Sequence, residues 1–173
     1  GCAHSKFTRK LNTMSLEQTA LTVQLAHFPG DLQAVQAIFR EYVQSPKADL
    51  GFQNYETEFA HLPGAYAAPK GCVMLVRHQG DVVGCAALRP ISQSTCELKR
   101  VYLRPSVRGH QGGRQLIQAM VNQTRSFGYQ RMCLDVLPEF ETAQRLYETL
   151  GFTDAPAVAY NPVPGTRFMA LVL

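Results

Sequence analysis

Leu32, Val35, Ile38, Phe39, Tyr42 and Val43 recur three and four positions apart, which puts them on one stripe of an amphipathic helix running to about Gln44. Thr22–Phe28 reads as a strand, and Pro29-Gly30-Asp31 as a turn with Asp31 able to cap the helix. Ser45-Pro46 ends it, because proline cannot continue the helical ladder. A shorter helix is expected over Phe52–His61, before Leu62-Pro63-Gly64. Cys72–Arg77 and Val82–Leu88 read as a strand pair joined by a hairpin turn at His78-Gln79-Gly80-Asp81. Cys96–Leu103 is the next strand. On strict alternation, Glu97, Lys99, Val101 and Leu103 share one face, with Leu98, Arg100 and Tyr102 on the other. Neither face is cleanly apolar, so part of this strand is expected to line a cleft.

Leu116, Ile117, Met120 and Val121 form the apolar stripe of a helix over Gly112–Phe127, stopped by Gly128. Met132–Leu137 is apolar except for Asp135 and suits a buried strand. Thr142–Leu150 is a helix with Ala143, Leu146, Tyr147 and Leu150 on one side and Gly151 as its stop, and Thr166–Leu173 a last strand. Strands outnumber helices, helices separate the later strands, and no linker or repeat interrupts them. This order predicts one α/β domain built on a mixed sheet.

Composition narrows the class without naming a chemistry. The 173 residues suit a single domain, and 46% hydrophobic with 17% charged residues excludes a disordered chain. No apolar run approaches the roughly 20 residues needed to span a bilayer. Gly1–Thr13 lacks acidic residues and any clear period. It reads as an N-terminal extension or a cloning remnant, with Met14 as a candidate start and 14–173 as the domain. Five scattered cysteines form no metal or redox spacing and suit a reducing cytoplasm. Cys72, Cys85, Cys96 and Cys133 fall in apolar, strand-like runs, where a thiol acts as a small hydrophobe. His27, His61 and His78 have no ligand spacing, so no metal is expected.

The charge pattern is more telling than the net charge of +4. No acidic residue falls between Glu97 and Asp135, whereas Lys99, Arg100, Arg104, Arg108, Arg114, Arg125 and Arg131 all do. The tract lacks interleaved exposed aromatics and any nucleic-acid reader motif, which ranks a nucleic-acid binder last. Its centre is a strand feeding a Gly/Arg turn at a helix N-terminus. There the free N–H groups and the helix dipole converge into an anion cradle. GxxxxGK[ST] is absent, and so is GxGxxG with its acidic partner, excluding a triphosphate P-loop and a dinucleotide fingerprint.

Arg108-Gly109-His110-Gln111-Gly112-Gly113 resembles the acyl-CoA-binding motif Q/R-x-x-G-x-G/A of the GNAT superfamily of N-acetyltransferases. Gln111 stands where the first glycine is expected, beside Gly112. The hairpin Gly80–Leu88, the strand Glu97–Leu103 and the helix Ala143–Phe152 (A-x-x-L-Y-x-x-x-G-F) are also similar to that superfamily, in order, over residues 72–152. The asparagine common before the last helix is replaced by Phe140, so its contact is not carried over.

The resemblance implies a GNAT-like acyl-CoA N-acyltransferase fold with a mostly antiparallel central sheet flanked by helices. It implies acetyl-CoA as co-substrate, without a metal. Backbone groups of Val101 and Leu103 would meet the pantetheine arm. The turn Arg108, Gly109, His110, Gln111, Gly112, Gly113 and Arg114 would hold the pyrophosphate. The acceptor amine would attack the thioester directly, which requires one proton to leave the ammonium and one to reach the thiolate. Tyr147 sits where the family often places the acid; packing through its ring is the plainer role. Glu97 is the candidate base; an ion pair with Lys99 or Arg100, or a structural carboxylate, is the alternative. Tyr42, Tyr55, Tyr66, Phe52 and Phe59 would shape the acceptor pocket or fill a helix-face core, with the Tyr160-Asn161-Pro162 loop nearby.

The expected activity is therefore acetyl transfer from acetyl-CoA to a primary amine of a small molecule or peptide. A non-catalytic acyl-CoA-binding module is the alternative. No nucleic-acid or membrane partner is expected, and a homodimer is compatible with the family.

Overall fold

The computed structural model describes residues 20–109 and 111–173. The N-terminal extension, Met14, Cys2 and His110 lie outside the described residues. The chain runs β1 (Thr22–Leu25), α1 (Leu32–Gln44), α2 (Tyr55–Ala60), β2 (Cys72–His78), β3 (Asp81–Pro90) and β4 (Thr95–Leu103). Then follow α3 (Gly112–Ser126), β5 (Arg131–Val136), α4 (Glu141–Thr149), β6 (Thr153–Asp154) and β7 (Arg167–Val172). The strands form one seven-stranded sheet in the order β1-β2-β3-β4-β5-β7-β6. Every neighbouring pair is antiparallel except β4–β5. This is the mixed, mostly antiparallel sheet that the sequence predicts.

Both faces of the sheet are covered, and alternation along β2 shows how. Val73 and Leu75 pack with Val35, Ile38 and Phe39 of α1 and Phe59 of α2. Met74 and Val76 pack on the other face with Leu116, Ile117 and Met120 of α3 and Tyr147 of α4. A strand buried on both sides reads as one apolar run for this reason. Each such side chain contributes about 1.5–3 kcal/mol when fully buried. The β2–β3 turn has Gln79 and Gly80 at φ +51° and +85°, the pair of left-handed residues that a tight hairpin needs.

Three local expectations are corrected. β1 ends at Leu25 rather than Phe28, because residues 27–31 curl back on themselves. His27 N donates to Asp31 Oδ2 at 2.8 Å and Asp31 N to His27 O at 2.8 Å, so the Asp31 carboxylate closes that turn instead of capping α1. The single helix expected over 52–61 is a 3₁₀ turn, Gly51–Gln53, and then α2, divided by Asn54 at φ +52°. The third correction concerns the faces of β4. Ala87 pairs with Lys99 but Cys85 pairs with Tyr102, so the strand carries one extra residue, and Arg100 there has φ +58°. Such a bulge resets the alternation. Glu97, Lys99 and then Arg100 and Tyr102 lie on the α1–α2 face, whereas Leu98, Val101 and Leu103 lie on the α3 face. Glu97 and Val101 therefore do not share a face.

Candidate active site

β4 and β5 pair only at Thr95–Arg131, Cys96–Met132 and Glu97–Cys133, and then part. The bulge at Arg100 bends β4 just beyond the last pair, as bulges do. Backbone groups of β4 that face β5 beyond Glu97 are thereby freed from the ladder. The gap is a cleft of about 920 Å³, floored by Leu98–Leu103 and Leu134–Leu137. Such a volume lies at the upper end of small-molecule pockets. Val101 and Leu103 both line it.

The Gly/Arg turn closes one end of the cleft. Gln111 holds φ +61°, ψ 9°, the left-handed conformation that a glycine adopts without cost. Gly112 starts α3 where a Cβ would fall 2.5 Å from Leu21 Cδ1, so no larger residue fits there without displacement. Gln115 N donates to Gln111 O at 3.0 Å, and the N–H groups of Gly112, Gly113 and Arg114, in the first turn, have no acceptor among the described residues. No acidic residue occupies the first turn of α3.

The cationic side chains add to this field. Arg108 and Arg114 are exposed and line the same end, with Arg108 Nε on Leu103 O at 3.0 Å and Arg114 Nη2 on Thr149 Oγ1 at 3.0 Å. Two other arginines of the basic tract are differently employed. Arg100 pairs with Glu58 and Arg104 with Glu41, so acidic residues from distant segments neutralise them.

Tyr147 lines the cleft. Its ring packs on Phe152 at 5.5 Å. Its hydroxyl bonds to no described residue, yet no buried side-chain polar atom among them lacks a partner, so Oη opens onto the cleft. Burial, with smaller contributions from Tyr42 and Asp135, pushes this phenol above the ordinary range, and it stays protonated.

Tyr42, Gln53, Asp135 and Asn161 line the far end. Arg100 stands 5.6 Å over the Tyr42 ring, and burial raises the Tyr42 phenol to about 12. Of the other aromatics, Phe59 and Tyr66 belong to the core. Phe52 instead pairs edge-on with the exposed Tyr160 at 6.2 Å.

Glu97 does not line the cleft. It is 1% exposed, accepts a bond from Arg89 Nε at 2.7 Å and has Lys99 Nζ at 3.7 Å. The fold thus brings Val101, Leu103, Arg108, Gly109, Gln111, Gly112, Gly113, Arg114 and Tyr147 to one cleft and leaves Glu97 outside its lining. Sequence reasoning did not single out Gln53 or Asp135 as site residues. Asp135 had a visible signal, being the one charge in an apolar strand.

Comparison with known proteins agrees with this geometry. Residues 32–152 match the acetyltransferase (GNAT) family. An uncharacterized N-acetyltransferase of Schizosaccharomyces pombe is 32% identical over 158 residues, covering 90% of this chain and 97% of the relative. An acetyltransferase from Streptococcus agalactiae has the same fold, with TM-score 0.73 at 21% identity over 88% of this chain and 98% of that one. The yncA protein of Salmonella typhimurium, a putative acetyltransferase solved with its cofactor acetyl-CoA, superposes with TM-score 0.64 at 20% identity over 89% and 94%. With a family match that runs from the start of α1 past the end of α4, and a relative 32% identical over nine-tenths of its length, this chain belongs to the GNAT family of acetyltransferases.

Proposed function

We propose that the protein moves an acetyl group from acetyl-CoA to a primary amine of a small molecule or peptide by direct attack of the amine on the thioester. The observation that carries the reading is the parting of β4 and β5 beside the N-terminus of α3, where the first-turn N–H groups have no acceptor among the described residues and two arginines stand close by. That donor set suits a pyrophosphate, with Gly112, Gly113, Arg108 and Arg114 holding it. The freed edge of β4 at Val101 and Leu103 offers hydrogen bonds to the amide-bearing arm.

No enzyme nucleophile is needed, and the described cysteines suit none. All four are buried and free, and burial raises Cys72 and Cys96 to about 12. Tyr147 is the proton donor to the departing sulfur. Burial weakens a phenol as an acid, but a thiolate in the same dry cleft is destabilised too, so the transfer remains matched. The base role that the resemblance attaches to Glu97 gains no support from its position, since two cations already hold that carboxylate.

Calorimetry with acetyl-CoA, followed by thiol release over a panel of amines, tests the reading. Binding with turnover on at least one amine is expected. Binding without turnover on any of them would identify a non-catalytic module, and no binding would remove the cradle assignment.

A further inference from the structure

With Glu97 outside the cleft lining, the acceptor side of the cleft needs another group to receive the proton that an ammonium must lose before it attacks. The residues there narrow the choice. Met132, Leu134 and Val136 of β5 face α3, so alternation turns Asp135 to the opposite face, toward α1 and away from the anion cradle. Asp135 is half-buried, lines the cleft and makes no salt bridge with any described residue. Arg100, which stands over the Tyr42 ring, is already spent on Glu58 and Gln53. Glu139, another carboxylate of the lining, accepts from the Lys47 and Ala48 N–H groups at 3.1–3.4 Å.

Asp135 is also oriented. Asn161 Nδ2 donates to Asp135 Oδ2 at 3.1 Å. The amide cannot reverse at no cost, because its Oδ1 accepts from Val163 N at 3.1 Å, a donor that an NH2 group could not satisfy. This leaves Asp135 Oδ1 with no hydrogen bond from any described residue. Tyr42 from α1 and Tyr147 from α4 feel the Asp135 charge, which places the candidate acid and this carboxylate around the same space.

We infer that Asp135 receives the ammonium of the acceptor and takes its proton as the nitrogen attacks, with Asn161 as its positioning residue. The inference rests on the transferase reading above. An N–H bond of the ammonium breaks and an O–H bond forms on Asp135 Oδ1, freeing the lone pair. That pair bonds to the thioester carbonyl carbon, the C–S bond breaks, and sulfur takes the Tyr147 proton. The second proton shed by the new amide nitrogen restores Tyr147, and the proton on Asp135 leaves to water. The site therefore favours an acceptor that arrives as a cation.

The test is Asp135→Asn, which keeps the shape and an acceptor oxygen for Asn161. Acetyl-CoA affinity is measured by calorimetry, and kcat/KM from pH 6 to 10 with benzylamine, tyramine, putrescine and a lysyl tripeptide. The expected result is unchanged acetyl-CoA affinity and a loss of about a hundredfold in kcat/KM at pH 7. The loss shrinks as pH approaches the pKa of the amine, where free amine needs no base. The other groups facing Asp135 are Tyr42, Tyr147 and Asn161, with Arg100 behind the Tyr42 ring. Both tyrosines are held protonated and Arg100 charged through most of that range, so the pH-dependent recovery reports on the amine.

Wild-type kcat/KM in the variant, or an equal loss at every pH, overturns the inference while acetyl-CoA binding keeps the transferase reading intact. Should the wild-type protein turn over none of these amines, the transferase reading falls and this inference with it. If Asp135→Asn does not fold, Asn161→Ala decides the matter. A severalfold loss that also shrinks at high pH supports the assignment, and a pH-independent change refutes it.

Discussion

Arg100 Nε donates to Glu58 Oε2 at 2.9 Å, and Arg100 Nη2 to Glu58 Oε1 at 3.2 Å, so the bulge of β4 grips α2 through a two-pronged ion pair. The same carboxylate accepts from Tyr66 Oη at 2.7 Å, and Gln53 Oε1 accepts from Arg100 Nη1. Tyr42 and Phe59 present their rings to the guanidinium at 5.6 and 5.8 Å. The residue that breaks the alternation of the strand therefore also fastens α1 and α2 beside the cleft.

Removing one partner of this pair is expected to be costly, because the other is stranded away from water. Arg100→Met should lower the unfolding free energy by about 3–5 kcal/mol, read from urea midpoints. Arg40→Ala, which breaks the exposed Arg40–Glu56 pair, should change it by less than about 1 kcal/mol. Equal effects of the two would remove the special standing of Arg100.

Gln111 bears the strain of a left-handed residue at the head of α3. Gln111→Gly should stabilise the protein by about 1 kcal/mol, visible as a higher melting temperature, with acetyl-CoA affinity retained or improved. A lower melting temperature would mean that the Gln111 side chain makes contacts worth more than the strain.

Arg108→Ala combined with Arg114→Ala should weaken acetyl-CoA binding by about ten- to a hundredfold, the range for losing charge-assisted bonds. The acceptor KM, measured at saturating acetyl-CoA, should move much less. Unchanged acetyl-CoA affinity would sink the phosphate cradle.

Tyr147→Phe should lower kcat by about 10²–10⁴-fold and leave acetyl-CoA affinity nearly as it was. The sign of its pKa shift adds a second check. Because the phenol is pushed upward, the wild-type rate should not fall between pH 8 and 10 through loss of this acid. Wild-type kcat in the variant across pH would count against the role.

The elements legible in the sequence are those whose signal repeats along the chain. The stripes of α1 and α3, the turn at Gln79-Gly80 and the stops at Gly128 and Gly151 carry their reason within a few residues. Asp31 had the right identity for a cap but a nearer donor, His27 N, and the local competition went the other way. Asn54 split a helix that the pattern ran through, since one left-handed residue interrupts a ladder without changing the spacing of its apolar neighbours. At the site, the turn 108–114 and Tyr147 could be found from motif and order. Asp135 could only be noticed as an odd charge in an apolar strand.

By itself, then, the sequence determined the order of the elements other than the two-residue β6, the glycine-rich turn before α3 and the family of the chain. Each of these depends on short-range periodicity, or on residue types at close spacing. The tertiary structure alone decided which groups look into the cleft. One bulged residue at Arg100 reversed the faces of β4, and the early parting of β4 from β5 opened a cleft that Asp135 lines. Glu58 found Arg100 across 42 positions of chain. Side-chain direction depends on the count of residues through a sheet register, and charge pairing on packing between distant segments, so neither is written in any local window of the sequence.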